Sequence, residues 1–233
     1  MLLFIFLIGC ALGSFTAAFA WRYPRHISIV KVKHSFCESC KKDLVWYDNI
    51  PLLSFLLLRG KCRYCQQKIS WMTFLSELVG GLVAVFLFSV YGLSWLFLVL
   101  LVIGNLLLVI GIIDFDVMLI PDELIWALIP LFLVFRLPGN FFQSLLTGFL
   151  LALFLLCLHW VTRGKGMGLG DVKLVIPLGF FLGFPLALYF FWGSFILGAV
   201  VGIGLLLTGK KGLKSKVPFG PFLIISFLYF WLR

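Results

Sequence analysis

Charge is what this 233-residue chain lacks most: nine residues are acidic, and charged residues make up 12% of the whole, against roughly a quarter in soluble globular domains. That scarcity excludes an ordinary water-soluble domain. Polar stretches are scarce as well, since outside 21–71 the chain is a succession of apolar runs of the length that crosses a bilayer, about 20 residues each. No glycine-rich nucleotide loop of the Rossmann kind occurs, and there is no internal repeat or low-complexity tail. No basic residue precedes the first apolar run, Met1–Ala20; Trp21, Arg22 and Arg25 follow it. A secretory signal carries its positive charge ahead of the apolar core, so this run is expected to stay as a first helix with its N-terminus outside.

What the chain has is 63% hydrophobic residues and a mean hydropathy of +1.15, the composition of a polytopic membrane protein. Its net charge of +10 does not point to nucleic acid, because the basic residues sit in a few loops, where they set orientation, and form no groove. After the polar excursion at 21–71, seven further spans are expected near 73–90, 94–113, 123–138, 142–161, 172–190, 192–208 and 218–232. Loops then alternate sides, and seventeen of the nineteen basic residues fall on one face; Arg136 and Arg233 fall on the other. By the positive-inside rule that face is cytoplasmic. The expectation is an all-α protein with about eight transmembrane helices. Its parts are a first helix at 1–20, a small cytoplasmic loop module at 21–71 and a seven-helix membrane domain at 72–233. Gly183, Pro185, Gly193 and Gly198 make 172–208 the stretch where a re-entrant segment competes with two full spans.

The loop module carries Cys37 and Cys40, then, after 21 intervening residues, Cys62 and Cys65. Two C-x2-C knuckles at this spacing form a zinc pattern, and four thiolates close a tetrahedral shell with no position left for water, which makes the site structural. Disulfides are the alternative, but a cytoplasmic loop is reducing. A loop this small has too little core to fold alone, so Zn2+ supplies the missing stability. His26 and His34 are spare polar residues, while Cys10 and Cys157 lie in apolar runs and read as packing residues.

Most of the remaining acids cluster. The stretch GIIDFDVMLIPDE, 111–123, holds four of them and no base, and GMGLGDVK, 166–173, places Asp171 behind three glycines at the mouth of an apolar run. An ionisable side chain at membrane depth is costly and faces protein or a water-filled cavity, so it marks a functional site. Its alternative role is to cap the helix that follows. The glycines, Gly168 and Gly170 among them, offer left-handed backbone freedom and room for a peptide substrate to approach. On the eight-span topology Asp114 and Asp171 reach the same membrane face from segments 57 residues apart. Two aspartates within a few ångströms share a proton and titrate as a unit; the ionised one activates a water while the protonated one polarises a peptide carbonyl. Asp116 competes with Asp114, but two positions along a helix it points to nearly the opposite face.

Taken together, GSF at 13–15, the two cysteine knuckles, YDNIPLLSFLLLRGKCRYC at 47–65, SELVGG at 76–81, IDFDVMLIPD at 113–122, GMGLGDVK and PFGPFL at 218–223 resemble the prepilin peptidases, or type IV leader peptidases. These are polytopic aspartyl proteases with a GxGD motif, and this chain is similar in size to the short competence-associated enzymes of Gram-positive bacteria. The resemblance runs over nearly the whole chain, and the order and spacing of the motifs carry it. It implies that Asp114 and Asp171 are catalytic; beside them Gly168, Gly170 and Lys173 of the GMGLGDVK run are the candidate substrate-binding residues. It further implies an enzyme of the bacterial cytoplasmic membrane with its active site on the cytoplasmic side, cutting the short basic leader of prepilin or pseudopilin precursors after a glycine. Many members then methylate the new N-terminus with S-adenosylmethionine, and Glu77, Asp48 and Asn49 are the polar groups placed for that step. Glu38 stands where many members have proline, and Trp71 to Phe74 lacks the usual Arg-Tyr-Pro; both departures lie at the module associated with methylation. A transporter would instead place its acids near span centres, and an assembly scaffold with a structural zinc module would function without Asp171.

Overall fold

A computed structural model describes residues 1–27, 35–136, 140–208 and 216–231; His34 and Arg233 lie outside them. Among the described residues every regular element is helical, as the apolar runs require, because a bilayer leaves no water to satisfy a backbone amide and a helix satisfies its own. In chain order these are α1 (Leu2–Arg22), the short α2 (Leu53–Leu57), α3 (Trp71–Tyr91), α4 (Trp95–Val117), α5 (Asp122–Arg136), α6 (Phe141–Val161), α7 (Leu169–Leu182), α8 (Leu186–Leu207) and α9 (Gly220–Trp231). Five helical segments are long and apolar enough to cross a membrane: 2–25, 71–91, 95–117, 141–161 and 186–207. At a rise of 1.5 Å per residue, α5 and α7 are about 22 Å long or less, short of a hydrocarbon core of about 30 Å.

The expected boundary between spans at 172–190 and 192–208 is corrected. The helix begins at Leu169 and breaks at 183–185, after which α8 runs without interruption through 191. Gly183, with φ of 66°, closes α7, and Pro185, which has no amide to continue the ladder, stands at the N-cap of α8.

Two compact units divide the chain, Met1–Ile112 and Ile113–Arg233. In the first, α1 and α3 run antiparallel with their backbones almost touching. A Cβ on Gly9 would collide with the Gly80 carbonyl, and one on Gly13 with the Ser76 carbonyl. Small residues four apart on both helices, Gly9 and Gly13 against Ser76, Gly80 and Ala84, let van der Waals packing hold a pair for which lipid supplies no hydrophobic drive. Cys10 is buried in this seam beside Gly81. In the second unit α6 and α7 repeat the device, with Gly148 facing Gly179, and Phe132, Phe181 and Phe227 join α5, α7 and α9 with ring centroids 4.6 to 5.9 Å apart. Cys157 is exposed on α6, so of the two cysteines expected to pack only Cys10 does.

Candidate active site and metal centre

The cysteine module belongs to the first unit, and its two knuckles are built alike. Phe36 bridges Asp43 around the first and Lys61 bridges Lys68 around the second. In each the first cysteine's amide donates across the turn, Cys37 to Lys42 and Cys62 to Gln67. The residue after each second cysteine, Lys41 or Gln66, takes a φ near 60° to turn the chain. The four sulfurs lie within 4.8 Å of one another, and Cys37 Sγ is 3.8 Å from Cys65 Sγ. A tetrahedral ion with metal–sulfur bonds of about 2.3 Å sets its sulfurs about 3.8 Å apart. These residues therefore fit a divalent metal, with no part left for His26. The Gln67 amide favours a thiolate at Cys65, but desolvation and hydrogen bonds with Cys62, Cys37 and Cys40 push its thiol up to about 11. Burying a cation among them reverses that balance, since the thiolate is the ligating form.

From the second knuckle the module is tied inward twice. Arg63 Nε donates to Asp48 Oδ1 at 2.8 Å, leaving Asp48 Oδ2 buried with no partner among the described residues; the neighbouring Asn49 is exposed. Leu52, held at φ of 61°, donates its amide to Glu77 Oε2 at 2.8 Å, and Ser14 of α1 lies close enough to interact with the same carboxylate. Glu77 is thus a buried acid joining α1, α3 and the Asp48–Leu52 segment.

In the second unit the aspartates separate by helix face. On α4 the buried stripe Ile103, Leu107, Ile110 recurs every three or four residues and continues onto Asp114, which is 5% exposed, whereas Asp116 lies on the exposed face. Asp114 Oδ2 accepts the Gly220 amide at 2.9 Å. Asp171 is 7% exposed on α7, nine of whose fourteen residues are buried. It stands three residues into the helix, behind an N-cap at Gly168, and its Oδ2 accepts the Gly168 amide at 3.2 Å. That local bond is part of what a capping acid does, but it uses one oxygen only. Oδ1 is buried and unpartnered among the described residues, and the two aspartates lie close enough to interact electrostatically.

The glycine-rich loop differs from the expectation of left-handed backbone. Neither Gly166, Gly168 nor Gly170 has a positive φ; that role falls to Gly164, at 72°. Gly170 is required for closeness: a Cβ there would sit 2.9 Å from Ile120 Cβ, so the near neighbour is this chain's own Ile120. His159 Nδ1 lies 2.7 Å from the Met167 carbonyl, and Thr162 Oγ1 accepts the Gly166 amide, which together fix the loop from the end of α6. Lys173 pairs with both oxygens of Asp122 at 2.7 and 2.9 Å, joining the starts of α7 and α5. Sequence reasoning gave no role to Gly220, Ile120, His159 or Thr162. The one available signal was the Gly-Pro pair at 220–221, a helix start.

Residues 7–91 match the Bacterial Peptidase A24 N-terminal domain and residues 101–203 the Type IV leader peptidase family. Over 98% of this chain and 94% of the relative, the sequence is 33% identical to a prepilin leader peptidase/N-methyltransferase of Bacillus subtilis. It is 32% identical to one from Vibrio cholerae over 95% and 92% of the two chains. It is 37% identical to one from Neisseria gonorrhoeae over 82% and 68%. No solved structure matches.

Proposed function

This chain belongs to the type IV leader peptidase family, and from that premise we propose that it is a membrane-embedded aspartyl endopeptidase. It removes the short basic leader of prepilin-like precursors after a glycine, at the cytoplasmic face. The observation that carries this reading is the pair of buried carboxylates in one unit, Asp114 and Asp171, the second with an oxygen free of partners. Sharing one proton, one activates the water and the other hydrogen-bonds the scissile carbonyl, then protonates the departing amine. Gly168, Gly170 and Lys173 border the site and are assigned to the substrate path. Eight passes, with both chain termini outside and the parts 1–20, 21–71 and 72–233, belong to the same reading, in which the shorter helices α5, α7 and α9 are counted with the five long ones. Sequencing the product's N-terminus tests it: the new end is expected directly after a glycine, unaffected by serine-directed reagents. An uncut precursor, or rapid inhibition by such a reagent, overturns it.

We further propose that zinc is the ion held by Cys37, Cys40, Cys62 and Cys65, where it staples the loop and takes no part in cleavage. The same protein then methylates the freed amine, with S-adenosylmethionine as donor. The freed α-amine has a pKa of about 8, so its neutral form takes the methyl group of a sulfonium once the two are oriented. The S–CH3 bond breaks to release the neutral thioether, and the ammonium proton passes to a carboxylate or solvent. Glu77 and Asp48 are the buried carboxylates of the first unit, with Asn49 exposed beside them, and they are assigned to that step. Glu77→Gln keeps an oxygen for the Leu52 amide and removes only the charge. It is expected to leave cleavage intact and abolish methyl addition by mass spectrometry; methylation at the wild-type rate removes Glu77 from the step.

A further inference from the structure

Asp171 is held by a donor three residues away, but Asp114 is held from a distance of 106 residues, by the first amide of α9. The first-turn amides of a helix have no partner within it. In α9 those of Phe222 and Leu223 both turn back to the Phe219 carbonyl, and Pro221 has none. The Gly220 amide is therefore the first-turn donor that α9 directs at another helix, and it meets a carboxylate, the group that a helix N-terminus favours. Space is as restricted as direction. A Cβ at Gly220 would lie 2.7 Å from Asp114 Oδ2, 3.1 Å from its Cγ and 3.3 Å from Ile120 Cδ1, closer to the carboxylate than real side chains come.

We propose that Gly220 is a positioning residue for Asp114: its N–H orients the carboxylate, and its missing side chain is what allows α9 to begin against it. This rests on the catalytic reading of Asp114 given above. A displacement of about 1 Å in a reacting group costs on the order of a hundredfold in rate, and an interaction made only in the transition state lowers kcat without changing KM.

The test is steady-state cleavage of a pilin-like precursor by the full chain in detergent. Gly220→Ala is expected to lower kcat by about ten- to a hundredfold with KM within about threefold of wild type. Should the added methyl impair folding through Ile120, the double variant Gly220→Ala/Ile120→Val removes Cδ1 and relieves that clash while leaving the one with Asp114. Positioning predicts that kcat stays low in this double variant at restored thermal stability, whereas a packing role predicts that kcat recovers along with stability. Recovery, or a Gly220→Ala kcat within twofold of wild type, overturns the proposal. Asp114→Asn, run alongside, separates the two levels: if it cuts normally the dyad reading itself fails, and if it is inactive while Gly220→Ala is normal, only the role of Gly220 does.

Discussion

Asp171→Asn and Asp114→Asn are each expected to lower cleavage by roughly a hundred- to ten-thousandfold, the range lost when a general acid or base is removed. The two single losses should be alike, because groups that act as a unit are not additive. Either amide is nearly isosteric with the acid and keeps an oxygen for the glycine amide that now donates to it, from Gly168 or Gly220, so insertion and folding should persist. What disappears is the shared proton. Asp116→Asn, on the exposed face of the same helix, should cleave within about twofold of wild type, as surface substitutions usually do. Kinetics on the purified variants at equal folded concentration checks all three; an inactive Asp116→Asn beside an active Asp114→Asn reverses the assignment.

The second large effect is expected on the loop module. Cys62 is buried, and among the described residues the module's ring contacts include Phe55 against Trp71 and Phe74, at 5.2 and 5.0 Å between ring centroids. Among the described residues the regular structure nearby is two isolated bridges, a 3-10 turn at Trp46–Asn49 and the single turn of α2, too little to hold a fold without a cross-link. Cys62→Ser is therefore expected to abolish metal binding at the site proposed above to hold one zinc per chain, and to open 35–70 to protease, while α1 and α3 stay packed through their glycine seam. Metal analysis with limited proteolysis reads both outcomes. A wild-type protein free of zinc, with a loop that resists protease, contradicts the structural role.

How far the fold could be read from the chain depends on how local its causes are. The helices follow from runs of apolar residues, and the burial of Asp114 against the exposure of Asp116 follows from a period of 3.6 residues; both are written in a single segment. Four cysteines at knuckle spacing likewise declare their convergence. The end of α7 was misplaced because no polar residue marks it: Gly183 and Pro185 break a stretch whose hydropathy never falls. Close approach and positive φ leave the same letter in the sequence; of these two causes for the motif glycines, the structure shows the first at Gly170 and the second at none of the three. The amide of Gly220 on Asp114, the Ile120 side chain against Gly170 and the His159 contact with Met167 join residues distant in sequence or across a turn. Nothing in a single chain announces such pairings.

The central claim, that Asp114 and Asp171 cut a prepilin-like precursor, is tested most directly by the mass of one such precursor after incubation with the pure protein in detergent. The expected result is a loss equal to the leader ending in glycine with the wild type, and an intact precursor with Asp171→Asn at the same folded concentration. Equal leader loss with both proteins, or none with either, would contradict it.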